Sequence, residues 1–281
     1  MTLLSAPALA AALVTSLLAA GVQAREAPED YVQWAEQALA RPPDGMRIVE
    51  SLEARVLDLT NQQRRGEGTA EAGELAPDEG LRRVARAHAL DMLERDFFAH
   101  HDPSGRGPDE RVALLDRRFI GGSGENLFQA VGSFDAESER IAATVVEGLM
   151  ESPGHRRNML DPEFTLLGVG AATAGDRLYV VQVFGRPMGR LDADLPLSLS
   201  PGSGLSLSIE PAAGQPEPPM ADLVANFPED MEITPDPIGR LSAPDRPGPY
   251  RLVVLFPEGE GRFAVAPGPM TFIGPQAAEG E

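Results

Sequence analysis

Proline placement sets the first limit on this chain: sixteen of its 26 prolines fall after residue 190. Proline removes a backbone donor and its ring clashes with the preceding helical turn, so the last third cannot carry long helices. Charge changes at the same place. Residues 25–190 hold 20 Arg against 29 acidic residues, whereas residues 191–281 hold 4 Arg against 14. Together the two shifts put a boundary near Arg190, between a helix-capable part and an acidic, Pro-rich tail.

Upstream, Leu3–Val22 is uncharged and rich in Ala and Leu, and Val22-Gln23-Ala24 precedes the charged Arg25-Glu26. This pattern reads as an export signal over residues 1–24, cleaved after Ala24. The alternative is an uncleaved membrane anchor, which twenty uncharged residues are long enough to form. No later run approaches spanning length, so the mature chain is expected to be secreted or periplasmic, without a transmembrane segment. The organisation expected is then a helical extension at 25–47, a main domain at 48–190 and a small all-β accessory domain at 191–281.

A net charge of −19 makes a phosphate-backbone binder unlikely in physical terms, because such binders neutralise phosphates with Lys and Arg. Nucleic acid is excluded as a partner on that ground. All 24 positive charges are Arg, which removes Schiff-base lysines and P-loop phosphate binding. There is no Cys, so disulfides, thiol nucleophiles and Cys-ligated zinc are excluded as well.

Within the main part, apolar residues recur at helical spacing in four places. These are Tyr31–Leu39, a run starting at Ile48 and reaching Leu59, Leu81–Leu93 opened by Pro77-Asp78, and a run from Phe134 to Met150. Two β-branched runs follow, Leu166–Gly170 and Leu178–Phe184, joined through a turn at Ala174-Gly175-Asp176. Helices followed by antiparallel strands imply an α+β layered fold. In the tail, the alternating runs Leu195–Leu199 and Leu205–Ile209 read as half-buried strands. Tyr250–Phe256 and Arg262–Ala266 read as a hairpin.

Four His carry most of the chemistry: His88, His100, His101 and His155. His88 lies on the apolar face of its helix and reads as a core residue. His100 and His101 stand between Phe97-Phe98 and Asp102-Pro103-Ser104-Gly105, either lining a cleft or capping a helix C-terminus. Ser152-Pro153-Gly154-His155 has the form of a helix start, with Ser152 as N-cap, Pro153 at N1 and His155 at N3. The positive end of that helix favours a neutral imidazole at His155, fit to act as ligand or base. Ser152 is a poor nucleophile candidate if its hydroxyl caps the helix. Glu125 follows a run read as a glycine-rich loop, Gly121-Gly122-Ser123-Gly124, and either bonds that loop or projects into a cleft.

Seven motifs in order resemble one family. They are Asn61-Gln-Gln-Arg64, Leu81…Ala85…His88-Ala89…Asp91-Met92, Phe97-Phe98-Ala99-His100, Gly124-Glu125-Asn126, Ser152–Asn158, Gly168-Val169-Gly170 and Val181–Gly185. They resemble the bacterial branch of the CAP superfamily: cysteine-rich secretory proteins, antigen 5 and pathogenesis-related 1 proteins, with an SCP-like extracellular domain. The resemblance covers about Ile48–Gly185. It implies an α-β-α sandwich, usually secreted, with a cleft in which two His and two acidic residues gather. Carried over residue by residue, those positions fall on His100, Glu125 and His155. The fourth falls on Ser152, with Glu147 and Glu151 nearby but out of register.

Two functions follow from the resemblance. One is binding of an extracellular or envelope ligand (lipid, glycan or peptide) in a cleft containing His100, Glu125, His155 and Ser152. The other is a weak divalent-metal-dependent hydrolase using His100, His155 and Glu125. In that case His100 and His155 hold a metal such as zinc, which activates water. The absence of an obvious nucleophile and of a firm fourth ligand favours binding over catalysis.

Overall fold

The computed structural model describes residues 28–67, 72–225, 227–228 and 232–274. The export signal read at 1–24 lies outside the described residues. The described chain opens with helix α1 (Pro28–Ala40), strand β1 (Met46–Ile48), α2 (Glu50–Glu67), β2 (Ala76–Pro77), α3 (Glu79–Glu94) and α4 (Pro108–Leu115). It continues through β3 (Phe119–Val131), α5 (Glu139–Glu151), α6 (Pro153–Leu160), β4 (Leu166–Ala174) and β5 (Arg177–Leu191). Among the described residues no helix is long and apolar enough to cross a membrane.

One sheet runs in the order β1-β4-β5-β3, with β3 antiparallel to β5 over its whole length and at the end of that order. Side chains on β5 alternate between two cores, as the period of a strand requires. Tyr179, Val181 and Val183 pack with Tyr31, Leu81, Val84 and Leu114 from α1, α3 and α4. Leu178, Val180 and Phe184 pack on the other face with Leu52 and Val56 of α2 and Val145 and Leu149 of α5. The result is the α-β-α sandwich expected of the sequence. Asp78 caps α3, its carboxylate accepting from Leu81 N–H at 2.8 Å.

The α3 helix lies directly on β4. A Cβ on Gly168 would stand 2.1 Å from the Leu81 carbonyl carbon, and one on Gly170 would stand 2.2 Å from the Arg86 nitrogen. Only hydrogen fits between these backbones, which accounts for the Gly168-Val169-Gly170 motif.

Three local expectations are corrected. Ile48 ends strand β1 and is not the start of a helix; it pairs with Ala172, and α2 begins at Glu50. Phe134 lies outside α5, whose N-cap Ser138 receives the Ile141 N–H. Gly121–Gly124 is no loop: it is the first half of β3, hydrogen-bonded opposite Phe184–Pro187, because the long β5 supplies a ladder for it.

After β5 come β6 (Ser198–Leu199), β7 (Gly204–Leu205), β8 (Ile209–Pro211), β9 (Met220–Val224), β10 (Asp236–Pro237), β11 (Leu241–Ser242), β12 (Gly248–Gly259) and β13 (Arg262–Ile273). A second sheet has the order β10-β9-β12-β13-β6. The β12–β13 pair is the expected hairpin, closed by Glu260 and Gly261, both at positive φ. The two alternating Leu runs yield strands of only two or three residues; in the first, Pro196 removes a ladder donor. Strand β9 has no clear signal in the sequence.

The tail packs against the sandwich. Strand β8 extends the first sheet alongside β5. Leu252, Val254 and Phe256 share a core with Ile120 and Leu191, and Phe272 joins the α1/α3/α4 core. Arg117, just past α4, donates to the carbonyls of Leu195 and Pro196 at 2.6 and 3.0 Å.

Gly170→Ala should force α3 off the sheet and cost about 3 kcal/mol or more in urea denaturation. Gly154→Ala, with no atom within 4 Å of its added Cβ, should change stability little.

Candidate functional site

The site is built around the edge strand β3, whose neighbours Glu125 and Asn126 point to opposite faces. Glu125 enters the α3/α4 side. Its Oε2 accepts from Arg111 Nη2 of α4 at 2.7 Å, and Oε1 accepts from His100 Nδ1 at 2.8 Å. Arg111 and Glu125 are 0% and 1% exposed at their side chains, so the ion pair is buried, whereas the His100 side chain is 47% exposed. The ring is therefore anchored from beneath and open above. Nδ1 is thereby committed to Glu125, and Nε2 is left for other partners.

Asn126 enters the α2/α5/α6 side. Its Nδ2 donates to the backbone oxygen of His155 at 3.1 Å and to Gln182 Oε1 at 3.0 Å. Gln182 in turn donates to Thr60 Oγ1 of α2 at 2.8 Å. Asn158 Nδ2 donates to Asn126 Oδ1 at 2.9 Å and to the Glu125 carbonyl at 3.2 Å. These amides hold the first turn of α6, and with it His155, against β3. Arg64 fixes the far end of α6 by donating to the carbonyls of Met159 and Asp161 at 2.8 and 2.9 Å. Asn61-Gln-Gln-Arg64 thus acts as a brace for the segment that delivers His155.

His100 arrives from one face of the sheet and His155 from the other, and the charge of His100 is felt at His155. His100 meets Glu125 of β3 through its ring, and His155 meets the adjacent Asn126 through its backbone oxygen. The pair His100-His101 does not cap a helix. Helix α3 ends at Glu94, with the cap N–H supplied by Arg95, and both His lie in the connection to α4.

Residues 57–184 match the family model described as CAP, the cysteine-rich secretory protein family. Over 138 residues, 49% of the chain, it is 31% identical to the uncharacterized protein YkwD of Bacillus subtilis (strain 168) and 33% identical to that organism's uncharacterized membrane protein YlbC. The chain spans 49% of the former and 35% of the latter. Among solved structures, it is 30% identical to an extracellular protein containing an SCP domain from Bacillus anthracis str. Ames. That likeness has a TM-score of 0.38 and covers 49% of this chain and 41% of the other. Residues 57–184 form a CAP-family domain. The family match begins within α2 and ends within β5, so it leaves out α1, β1 and the tail.

The resemblance puts the fourth cleft position on Ser152. That residue stands at the N-cap of α6 by its backbone, its carbonyl accepting from Arg156 N–H at 2.8 Å, but its hydroxyl makes no capping bond. The expected hydroxyl cap is corrected: Ser152 also closes α5 through its N–H to the Leu149 carbonyl at 3.2 Å, and this double duty sets its backbone. Glu147 and Glu151 are exposed on α5.

Electrostatics keeps the floor of the site fixed. Burial alone would raise the Glu125 pKa, but the His100 hydrogen bond and the Arg111 charge hold it below the usual carboxylate value. His88 is fully buried, as expected, with Nε2 donating to the Ala99 carbonyl at 3.1 Å. It is also a wall of the site, 4.0 Å from Glu125. Burial, reinforced by the Arg111 charge, pushes its pKa down to about 3. Burial and the nearby His100 lower the pKa of His155, in line with the neutral ring expected there.

This donor set does not amount to a resident zinc site. Both oxygens of Glu125 are engaged, by His100 and Arg111, which leaves two imidazoles where zinc sites use at least three protein ligands. Among the described residues no cluster of three or more His, Cys, Asp or Glu is arranged to hold a metal.

Sequence reasoning missed Arg111 and the network behind it. Arg111 Nη1 donates to the Arg106 carbonyl at 2.9 Å, Arg106 pairs with Asp102 at 2.5 Å, and Asp102 pairs with Arg95 at 3.1 Å. The signal was present: Gly107-Pro108-Asp109-Glu110 has the Pro and acids of a first helical turn, and Arg111 follows it inside an apolar stretch.

Glu125→Gln should cost about 3–5 kcal/mol by leaving the buried Arg111 charge uncompensated, and should release the His100 ring, read as a changed His100 signal in NMR. The native protein should also lose stability as pH falls from about 6.5 to about 3. In that window the unfolded His88 binds a proton that the folded one refuses. Glu125 acts in the same sense, its contribution being lost as pH drops through its lowered folded pKa. Denaturant midpoints measured across this range should fall steadily, and His88→Gln should flatten the upper part of the curve.

Proposed function

We propose that this chain is an exported CAP-domain protein, secreted or periplasmic, that binds an extracellular or cell-envelope ligand: a lipid, a glycan or a peptide. The observation that carries this reading is the half-exposed His100 ring, fixed by a buried Glu125–Arg111 pair. Such an arrangement presents a preset acceptor and donor surface with little reorganisation, which suits recognition of a polar group. Ser152 adds a hydroxyl that no helix cap consumes, at the start of the same helix as His155.

Catalysis is less well supported. A hydrolytic role for Glu125 as base or metal ligand would require breaking its bonds to Arg111 and His100, and the ion pair with Arg111 is buried. The site as built holds its carboxylate still.

Thermal-shift measurements against peptidoglycan fragments, phospholipid vesicles and envelope-derived peptides test the proposal. One class should raise the melting temperature of the native protein, and His100→Ala and His155→Ala should each weaken that binding about tenfold or more without loss of fold. No turnover of peptide or ester substrates should accompany it. Hydrolysis that disappears in His155→Ala would overturn the binding reading in favour of the hydrolase.

A further inference from the structure

A second cleft, of about 630 Å³, opens between the start of α4 and the second sheet. Its walls include Pro108, Val224, Phe227, Tyr250 and Met270, with His101 beside Gly107 at one end. This volume lies within the range of small-ligand pockets, about 300–1,000 Å³. The family match ends at residue 184, so one wall of the cleft belongs to the part of the chain outside it.

Arg251 lies in this wall. It stands on β12, a central strand of the second sheet, between Val224 of β9 and Met270 of β13. A register shift directly follows it, and such irregularities re-aim side chains next to binding sites. Only 8% of the residue is exposed. Its Nη1 donates to the Asp109 carbonyl at 3.2 Å, and its guanidinium lies 5.6 Å from the centroid of the Phe227 ring. Its Nε is buried with no hydrogen-bond partner. Burial pushes its pKa down to about 10, against the opposing charges of Asp109 and Glu110. A guanidinium desolvated to this degree normally has its donor fork filled, since an unmade bond to a buried charged group is costly.

We propose that this cleft is a binding site for a carboxylate that carries an apolar group, the chemistry of a peptide's C-terminal residue, with Arg251 as its anchor. Nη2, beside the Nη1 bond to Asp109, is the guanidinium nitrogen that donates to the carboxylate in a charge-assisted hydrogen bond. The first turn of α4 adds its positive end to the same cleft. Asp109 and Glu110 also line it and disfavour a doubly charged phosphate, while an amide or ammonium N–H beside the carboxylate finds acceptors there. The apolar side chain lies against Phe227, Val224 and Met270.

Calorimetry on the full chain with three probes tests this: N-acetyl-Ala-Ala-Phe with a free carboxylate, the same peptide as its C-terminal amide, and free phenylalanine. The acid should bind at one site and the amide at least about tenfold more weakly. Free phenylalanine matching the acid assigns the site to single amino acids, and weaker binding assigns it to peptide termini; both support carboxylate recognition. Arg251→Met should remove the preference for acid over amide, and Arg251→Lys, which keeps the charge without the fork, should reduce it. Equal binding of acid and amide by the native protein, no binding of either at about 1 mM, or a preference that survives Arg251→Met in a folded protein overturns the proposal.

Discussion

The buried ion pair between Glu125 and Arg111 is the constraint on which the rest of the site depends. A carboxylate 1% exposed at its side chain is tolerable only with its charge matched and its lone pairs filled, and here Arg111 and His100 do both. That requirement dictates where α4 must lie, because Arg111 has to reach across from it. It also dictates where the α3–α4 connection must pass, because His100 has to come down onto Oε1. The chain of contacts from Arg111 to Arg106, Asp102 and Arg95 extends the demand back to the end of α3. A helix, a connection and a strand edge are thus locked by one acidic side chain.

The opposite face of β3 solves a different problem with uncharged groups. Asn126 and Gln182 are both fully buried and join into an amide chain that ends on Thr60 and the His155 carbonyl. Amides can donate and accept at once, so the chain satisfies itself without a net charge inside the core. An edge strand is the one place where side chains from both faces of a sheet can meet around its open side. His100 and His155 are accordingly tied to adjacent residues of β3, Glu125 and Asn126.

What was legible in the sequence follows from which forces act locally. Helices α1, α2, α3 and α5, the start of α6, the Asp78 cap, the β4–β5 turn and the β12–β13 hairpin are set by periodicity and turn chemistry within a few residues and stood out, whereas the short α4 did not. His100, Glu125 and His155 were singled out by the ordered motifs that resemble the CAP family. Arg111 and Gln182 were not, because an Arg in an apolar stretch and a Gln in a β-branched run declare their burial only through partners 14 and 56 residues distant. The glycine run before Glu125 misled for a related reason. Its flexibility signals a loop, yet the partner strand β5 overrides that local preference with a full ladder.

The Pro-rich tail shows the same principle on a larger scale. Its composition forbids helices, but composition says nothing about where the resulting strands lean. In the structure, half-buried Arg117 binds the tail at its first residues, donating to the carbonyls of Leu195 and Pro196, while desolvation pushes its own pKa down to about 10. Arg118 adds a bond to the Leu191 carbonyl at 2.6 Å. Both arginines directly follow α4, the helix that carries Arg111. The segment that positions the Glu125 charge on one side therefore holds the tail on the other, and a shift of α4 would be felt at the His100 ring and in the Arg251 cleft alike. In a chain without lysine, the planar, multiply donating guanidinium makes this possible, since a single side chain can tie several carbonyls of different segments together.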